Sequence, residues 1–404
     1  MTAASTRLVV NPLLSRIFGT ADDVVVLEWP ATGRRATLSR SAYRLVQQFA
    51  VPAAASEVLA DLGRSAGAAG GGLEEALASL VEQEILVDVL AGSGVTRQRG
   101  LFGAPVVTLS EASRTNADVV VVGVPLDAKV TYRPGARFGP GALRRVSPAL
   151  LATDADGWSA GALDPRTGSR LLEGMRVVDL GDLATSTASD GGRSMLNMLE
   201  STVGVVATSG ALPVVLGGDH SLTLRVVDAL CGSGGPVGVL HIDAHHDYAE
   251  PRQDSREHVH HGNFLGWVVA NPHVACVAQL GQRQLTAHAP QADPKLLRWP
   301  GESALSCDVD EIVAALPPRL RWHVTIDVDV LDPAVMPSTG TLLPGGWTHR
   351  EAARLLADLV SRLDVVGVDV VELLPDGGDG PVVSACDLLL RTVHAALQRR
   401  TRDA

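Results

Sequence analysis

The stretch PVGVLHIDAHHD, residues 236–247, carries a short apolar run straight into a cluster of imidazoles and carboxylates. Its first half reads as a buried strand, because small and β-branched residues with no polar interruption suit a strand covered on both faces. Extended to residue 250, HIDAHHDYAE holds three histidines and three acidic residues in ten positions, in a chain with only 12 histidines among its 404 residues. A polar loop with one capping Asp is the plain reading. A metal site is the other, and the rest of the sequence has to decide between them.

Moving outward, the same pattern repeats. VVVVGVP (119–125), MRVVDLG (175–181), LPVVLGG (212–218), RWHVTIDVD (321–329) and VVGVDVVEL (365–373) are short Val-rich runs separated by helix-like segments. Apolar strands alternating with helices predict an α/β domain with a parallel sheet covered on both faces. Ligands of such sheets bind beyond the carboxyl ends of the strands. The residues just after the runs are therefore the ones to read. LPVVLGGDHS delivers Asp219 and His220 after a Gly pair. HIDAHHD delivers Asp243, His245 and Asp247, which would share one side of an extended strand end. TIDVDVLDP delivers Asp327 and Asp329 with the same step, then Asp332. Several carboxylates converging at one sheet edge repel and raise each other's pKa, and divalent cations offset that cost. Oxygen and nitrogen donors without thiolate favour Mn²⁺ over structural zinc.

The flanks bound the answer. A hydrophobic fraction of 46% allows a substantial core, and a net charge of −11 argues against nucleic acid as a partner. The pairs Arg34/Arg35 and Arg144/Arg145 read as solvated faces. Cys231, Cys276, Cys307 and Cys386 form no CxxC motif and read as reduced cytoplasmic thiols. The opening MTAASTRLVVNPLLSRIFG, with Arg16 inside it, is a poor signal peptide, and no apolar run is long enough to cross a bilayer. A Gly-rich seam at residues 88–104 separates the chain into a small module (1–90), a linker (91–109) and a catalytic domain (110–404). In the module, VVVLEWP and RRATLS read as strands around Ala31-Thr32-Gly33. SAYRLVQQFA reads as a helix capped by Ser39 or Ser41, and LEEALASLVEQEILV as another. This α+β pattern is winged-helix-like and is similar to the peptide-recognition domains of ribosomal-peptide maturation enzymes. A structural extension or an oligomerisation element fits it too.

The segments GVPLDAKVTYRPGARFGPGALR (123–144), VVLGGDHSLT, HIDAHHD, TIDVDVLDP, STGTLLPGG and GVDVVELLP, taken together, resemble the ureohydrolase family of arginases, agmatinases and related guanidino hydrolases. The likeness runs in the family's order over about residues 110–400 and implies a three-layer α/β/α domain around a mostly parallel sheet. It implies two Mn²⁺ per chain, one held by His220, Asp243, Asp247 and Asp327, the other by Asp243, His245, Asp327 and Asp329. It implies further that Asp247 aims the attacking water, that Glu372 holds the guanidinium, and that a histidine near the mouth gives the leaving amine its proton. For that histidine HVHHGNF offers His258, His260 and His261, and the step His261-Gly262 matches best; His246 is expected to point away from the metals. A homo-oligomer, trimer or hexamer, is the family's habit. Arginases follow DAHxD with an Asn and a Ser-Gly-Asn segment, whereas this chain has Tyr248-Ala249 and then EPRQDSREHVHHG. An agmatine-like guanidine is thus favoured over free arginine, and Glu250, Arg252 and Glu257 are candidates to contact its tail. Arginine within a ribosomal peptide, converted to ornithine, is a competing substrate. A single-zinc deacetylase-like amidohydrolase would dispense with His220 and Asp329, both present here; a non-catalytic binding protein is the remaining alternative.

Overall fold

Eight strands form one sheet: β1 (Val119–Gly123), β2 (Val177–Asp182), β3 (Leu212–Leu216), β4 (Val237–Ile242), β5 (Val274–Leu280), β6 (Leu296–Trp299), β7 (Arg321–Asp327) and β8 (Asp364–Val371). Across the sheet they run β2-β1-β3-β8-β7-β4-β5-β6, and every pairing is parallel. The computed structural model from which this is read describes residues 7–10, 15–17, 24–29, 34–49, 53–66, 72–83, 85–88, 99–128, 130–183, 192–249, 258–287, 292–376 and 378–402. All six Val-rich runs are strands. The two further strands, β5 and β6, lack a Val run: VACVAQL is buried but for Ala275, and the edge strand LLRW is buried only at Leu296.

Parallel strands require crossovers, and helices supply them on both faces. The principal helices of this unit are α1 (Gly139–Val146), α2 (Arg193–Thr208), α3 (Thr223–Gly232), α4 (Phe264–Ala270), α5 (Val309–Ala315), α6 (His349–Val360) and α7 (Asp379–Arg402). Residues of α2, α3 and α4 share a core with Val215, Val239 and Val277. Those of α1, α5, α6 and α7 share the other with Val214, Leu240 and Ile326. Neighbours such as Val239 and Leu240 therefore face opposite layers, as the two-residue strand period requires. This is the three-layer α/β/α arrangement expected. The chain builds β1 to β3, then skips two places to β4; β7 and β8 fill the gap later. The carboxyl ends of β3, β8, β7 and β4 thus become neighbours at the point where the winding reverses, where such sheets bind ligands.

The chain divides into two compact units, Met1–Gln98 and Arg99–Ala404. In the first, Ser15–Ile17, Val24–Trp29 and Arg34–Ser39 form an antiparallel meander, and Arg7–Val10 pairs with Ala53–Ala54 and Leu86–Asp88 in a second sheet. Helices span Arg40–Gln47, Ala55–Ala66 and Leu73–Glu82. Ser39 is the cap of the first, accepting the Ala42 N–H at 3.2 Å. The run LEEALASLVEQEILV is not one helix: it stops at Glu82, Ile85 N–H returns to the Leu80 carbonyl, and Leu86–Asp88 joins the sheet. Burying Ile85 and Leu86 in this unit's own core accounts for the break.

Two expectations need correction. Residues 99–109 were assigned to a linker, but Leu101 and Phe102 are buried in the second unit's core. Leu101 N–H donates to Asp179 Oδ2 at 2.8 Å and Phe102 N–H to Ser147 Oγ at 2.8 Å. An apolar pair inside a Gly-rich run packs when the fold offers it a covered site. Arg144 is likewise no solvated side chain. It is buried, donates to both Asp179 oxygens at 2.8 and 2.9 Å and pairs with Asp182, and these carboxylates hold its pKa above the ordinary value although burial pulls it down. Arg145, next to it, is the exposed member and pairs with Asp379.

Candidate metal centre

Each strand end delivers its polar residue by a different local device. After β3, Gly217-Gly218 lets the chain pass against its neighbour: a Cβ on Gly218 would fall 1.9 Å from the Leu126 carbonyl oxygen. Asp219 then caps the turn His220–Leu222 by accepting the Ser221 N–H at 3.1 Å, so its carboxylate works as a cap. After β4 the chain does not stay extended. His245 N–H turns back to Asp243 Oδ1 at 2.5 Å, and Asp247 takes a left-handed backbone with φ of 45°. Asp243, His245 and Asp247 therefore converge through a turn, and not through the strand alternation expected. After β7, Asp327 accepts the Asp329 N–H at 2.9 Å and opens the turn Val328–Val330. Asp332 accepts N–H groups of Ala334, Gly345 and Gly346, which makes it a loop brace.

Two clusters share Asp243. In one, potential ligand atoms of His220, His241, Asp243 and Asp247 lie within 4.8 Å of one another; in the other, those of Asp243, His245 and Asp329 do. His220 Nδ1 stands 3.1 Å from Asp243 Oδ2, 3.2 Å from Asp247 Oδ2 and 3.4 Å from Asp327 Oδ2. His245 Nδ1 stands 2.8 Å from Asp329 Oδ2 and 3.5 Å from Asp243 Oδ1. The two oxygens of Asp243 thus face different clusters, which is what a bridging carboxylate requires. All six residues predicted as metal ligands are brought to this one edge.

The donor set fits divalent cations. Among the described residues, His220 Nδ1, His241 Nε2 and Asp243 Oδ2 are buried without a hydrogen-bond partner, a costly arrangement unless an ion binds them. The charges point the same way. Burial and then the charges of Asp329 and Asp243 push Asp327 well above the carboxylate range, and burial with Asp243 pushes Asp329 up to about 6. Against its own burial, His245 is pushed up to about 12 by Asp243 and Asp329. Carboxylates that take up protons and imidazoles that keep them mark a cluster that gathers positive charge, which a divalent ion supplies more fully.

Beside these clusters sit Glu372 and His261, both buried. Glu372 follows β8 with a left-handed φ of 61° and accepts the His220 N–H at 2.9 Å. Left-handed backbone at a non-glycine residue costs roughly 1–3 kcal/mol and gathers at functional sites; here it occurs at Asp247 and Glu372 alike. Among the described residues the ion-pair partner of Glu372 is His261. His261 Nδ1 lies 3.2 Å from Glu372 Oε1, and its Nε2 accepts the Thr131 N–H at 3.0 Å. A backbone amide only donates, so in neutral His261 the proton sits on Nδ1, facing Glu372. Burial lowers this imidazole's pKa, but the Glu372 hydrogen bond and charge outweigh it and hold it above 6.5. His260 is tied locally to Gly262 and Asn263, and His258 is exposed. His246 belongs to neither cluster; its Nδ1 accepts the Tyr248 N–H. Glu250, Arg252 and Glu257 lie outside the described residues.

Four buried residues of the site escaped the sequence reading: His241, His323, Thr325 and Asp369, each fully enclosed. A signal existed, since each is a polar residue inside an otherwise apolar parallel strand.

A family model described as the Arginase family matches residues 117–394. An agmatinase of Chromobacterium violaceum is 30% identical over 322 residues, 75% of this chain and 95% of its own length. A mitochondrial guanidino acid hydrolase of Homo sapiens is 30% identical over 298 residues, 70% of this chain and 80% of its own. Among solved structures, that of a hypothetical agmatinase from Burkholderia thailandensis is similar with a TM-score of 0.61 and 26% identity, covering 72% of this chain and 88% of that one. A match across more than half the sequence, joined to a carboxylate–imidazole centre at the reversal point of a parallel sheet, means that the chain belongs to the arginase family, the metal-dependent ureohydrolases that act on guanidino C–N bonds.

Proposed function

We propose that this chain hydrolyses an agmatine-like guanidine to urea and an amine with two Mn²⁺. His220, Asp243, Asp247 and Asp327 would hold one ion, and Asp243, His245, Asp327 and Asp329 the other. When bound, the pair supplies Lewis-acid chemistry that makes water a nucleophile near neutral pH. The observation that carries the reading is the shared Asp243, with one oxygen toward His220 and the other toward His245.

The chain's own residues do the rest. Asp247, held by its left-handed backbone, accepts a hydrogen bond from the attacking water and aims it. Glu372 offers a buried carboxylate to the guanidinium, whose delocalised charge makes its carbon a poor electrophile and its N–H groups good donors. Hydrolysis breaks the bond between that carbon and the substrate's chain nitrogen. The water oxygen ends in urea, and its two protons end on the leaving amine. His261, with one nitrogen on Glu372 and the other on Thr131, stands where it can pass a proton to that amine.

The substrate's tail follows from what is absent after Asp247: no Asn or Ser-Gly-Asn grips an amino acid's carboxylate and amine. A urea-release screen with Mn²⁺ preloaded tests this on arginine, agmatine, shorter and longer guanidino acids and Arg-containing peptides. Agmatine turning over faster than arginine is the expected result; arginine as the best substrate overturns it. One tightly held zinc with no Mn²⁺ activation overturns the binuclear reading. The separate core of residues 7–88 favours a second reading, a peptide substrate gripped at a distance from the chemistry. A chain starting near Leu101 separates the two: a small guanidine keeps its kcat/KM, whereas a peptide shows a steep rise in KM with kcat nearly intact.

A further inference from the structure

Behind His220 lies a set of polar side chains that solvent does not reach: Thr223, Thr325, His323 and Asp369, each 0% exposed. Their protons can be counted. Thr325 Oγ1 donates to Asp369 Oδ1 at 2.5 Å, Thr223 Oγ1 donates to Oδ2 at 2.9 Å, and His323 Nε2 stands 2.7 Å from the same Oδ2. A carboxylate receiving three such donors stays ionised and has no proton to return. Thr325 has one hydroxyl proton, and it goes to Asp369. The 2.8 Å contact between Thr325 Oγ1 and His220 Nε2 must then run the other way, with Nε2–H donating. A neutral imidazole has a single N–H, so Nδ1 keeps its lone pair, and Nδ1 is the atom that faces Asp243, Asp247 and Asp327.

We propose that Thr325 and Asp369 are positioning residues, which hold His220 in the tautomer and ring orientation that ligate the first ion. Metal-binding histidines depend in this way on the partner of their other nitrogen. The inference rests on the binuclear reading above. Thr325 sits in β7 two residues before Asp327, and Asp369 sits in the adjacent β8, paired with Thr325 in the sheet register. The same two strands that present Asp327 and Glu372 therefore also set the imidazole, so ligand and orienting group cannot drift apart.

The test is Mn²⁺ titration of the full-length protein against a competing chelator, with the ions counted. Wild-type protein taking up two ions supports the binuclear reading, and failure to do so sinks both proposals before any variant is compared. Thr325→Val keeps the shape and the strand preference but removes the hydroxyl. It is expected to weaken one of the two ions by roughly 10–100-fold and leave the other near wild type. Thr325→Ser restores the hydroxyl and should restore the affinity. Asp369→Asn breaks the same chain independently, by placing a donor where Thr223 and His323 already donate, and should weaken the same ion. Equal affinities in wild type and Thr325→Val overturn the proposal, as does a Thr325→Ser protein as weak as Thr325→Val, which would mean that packing and not the hydroxyl matters.

Discussion

The two clusters of the candidate metal centre differ in their surroundings. On the His220 side the imidazole is 0% exposed and backed by Thr325 and Asp369. On the other side the His245 side chain is 14% exposed. The turn carrying Asp329 is buried as well, and Arg283 braces it by donating to the carbonyls of Asp329 at 2.7 Å, Val330 at 3.1 Å and Leu343 at 2.8 Å. A sealed polar network is rigid because each unpaired group inside it would be costly. If two ions bind, the one at His245 lies nearer solvent and is the one expected to exchange first.

That asymmetry can be broken or sharpened experimentally. Asp243→Ala strikes both halves at once; metal analysis should find both ions lost and urea release at background. A variant that keeps one ion at full strength would mean that Asp243 does not bridge. Next in size, His261→Ala should lower kcat by about 10²–10⁴-fold while both ions stay, because His261 faces Glu372 and Thr131 and belongs to neither cluster. Unchanged turnover would move the proton to His258, His260 or water. Smaller is the difference between the ions themselves. Dialysis against a chelator should remove one ion before the other, and His245→Ala should abolish the fast step alone; simultaneous loss would erase the distinction between the halves.

The smallest effect concerns pH. In metal-free protein the His261 pKa is held above 6.5, chiefly by Glu372 against the effect of burial. A group whose folded pKa is raised contributes stability that is complete below its unfolded value and fades as pH climbs through the folded one. The gap in Tm between wild type and His261→Ala should thus be widest below about pH 6.5 and narrow at higher pH. A gap that widens with rising pH would contradict the Glu372 pairing.

Much of this was readable in residue order. The Val-rich runs marked six of the eight strands, and the polar residues after them include His220, Asp243, His245, Asp247 and Asp329 of the two clusters, because a parallel sheet forces strand ends to carry function. The reading failed where local pattern and tertiary demand diverge. Arg144 looks like any surface arginine until Asp179 and Asp182 are brought beside it. Leu101 and Phe102 sit in a segment with linker composition, and only the cavity they fill shows that they are core. Asp219 and Asp332 carry the same charge as the ligands, yet their neighbouring N–H groups use them as caps.

The sequence by itself determined the layer architecture, the strand ends that matter and the donor types, since periodicity and side-chain chemistry are local properties. Tertiary structure alone decided which nitrogen of His220 faces the carboxylates and that Asp243 turns its two oxygens to different partners. It also decided that His261, rather than His258 or His260, meets Glu372. These depend on contacts between residues as far apart as His220 and Glu372, 152 positions along the chain, which only the winding of β3, β7 and β8 into adjacent places can create.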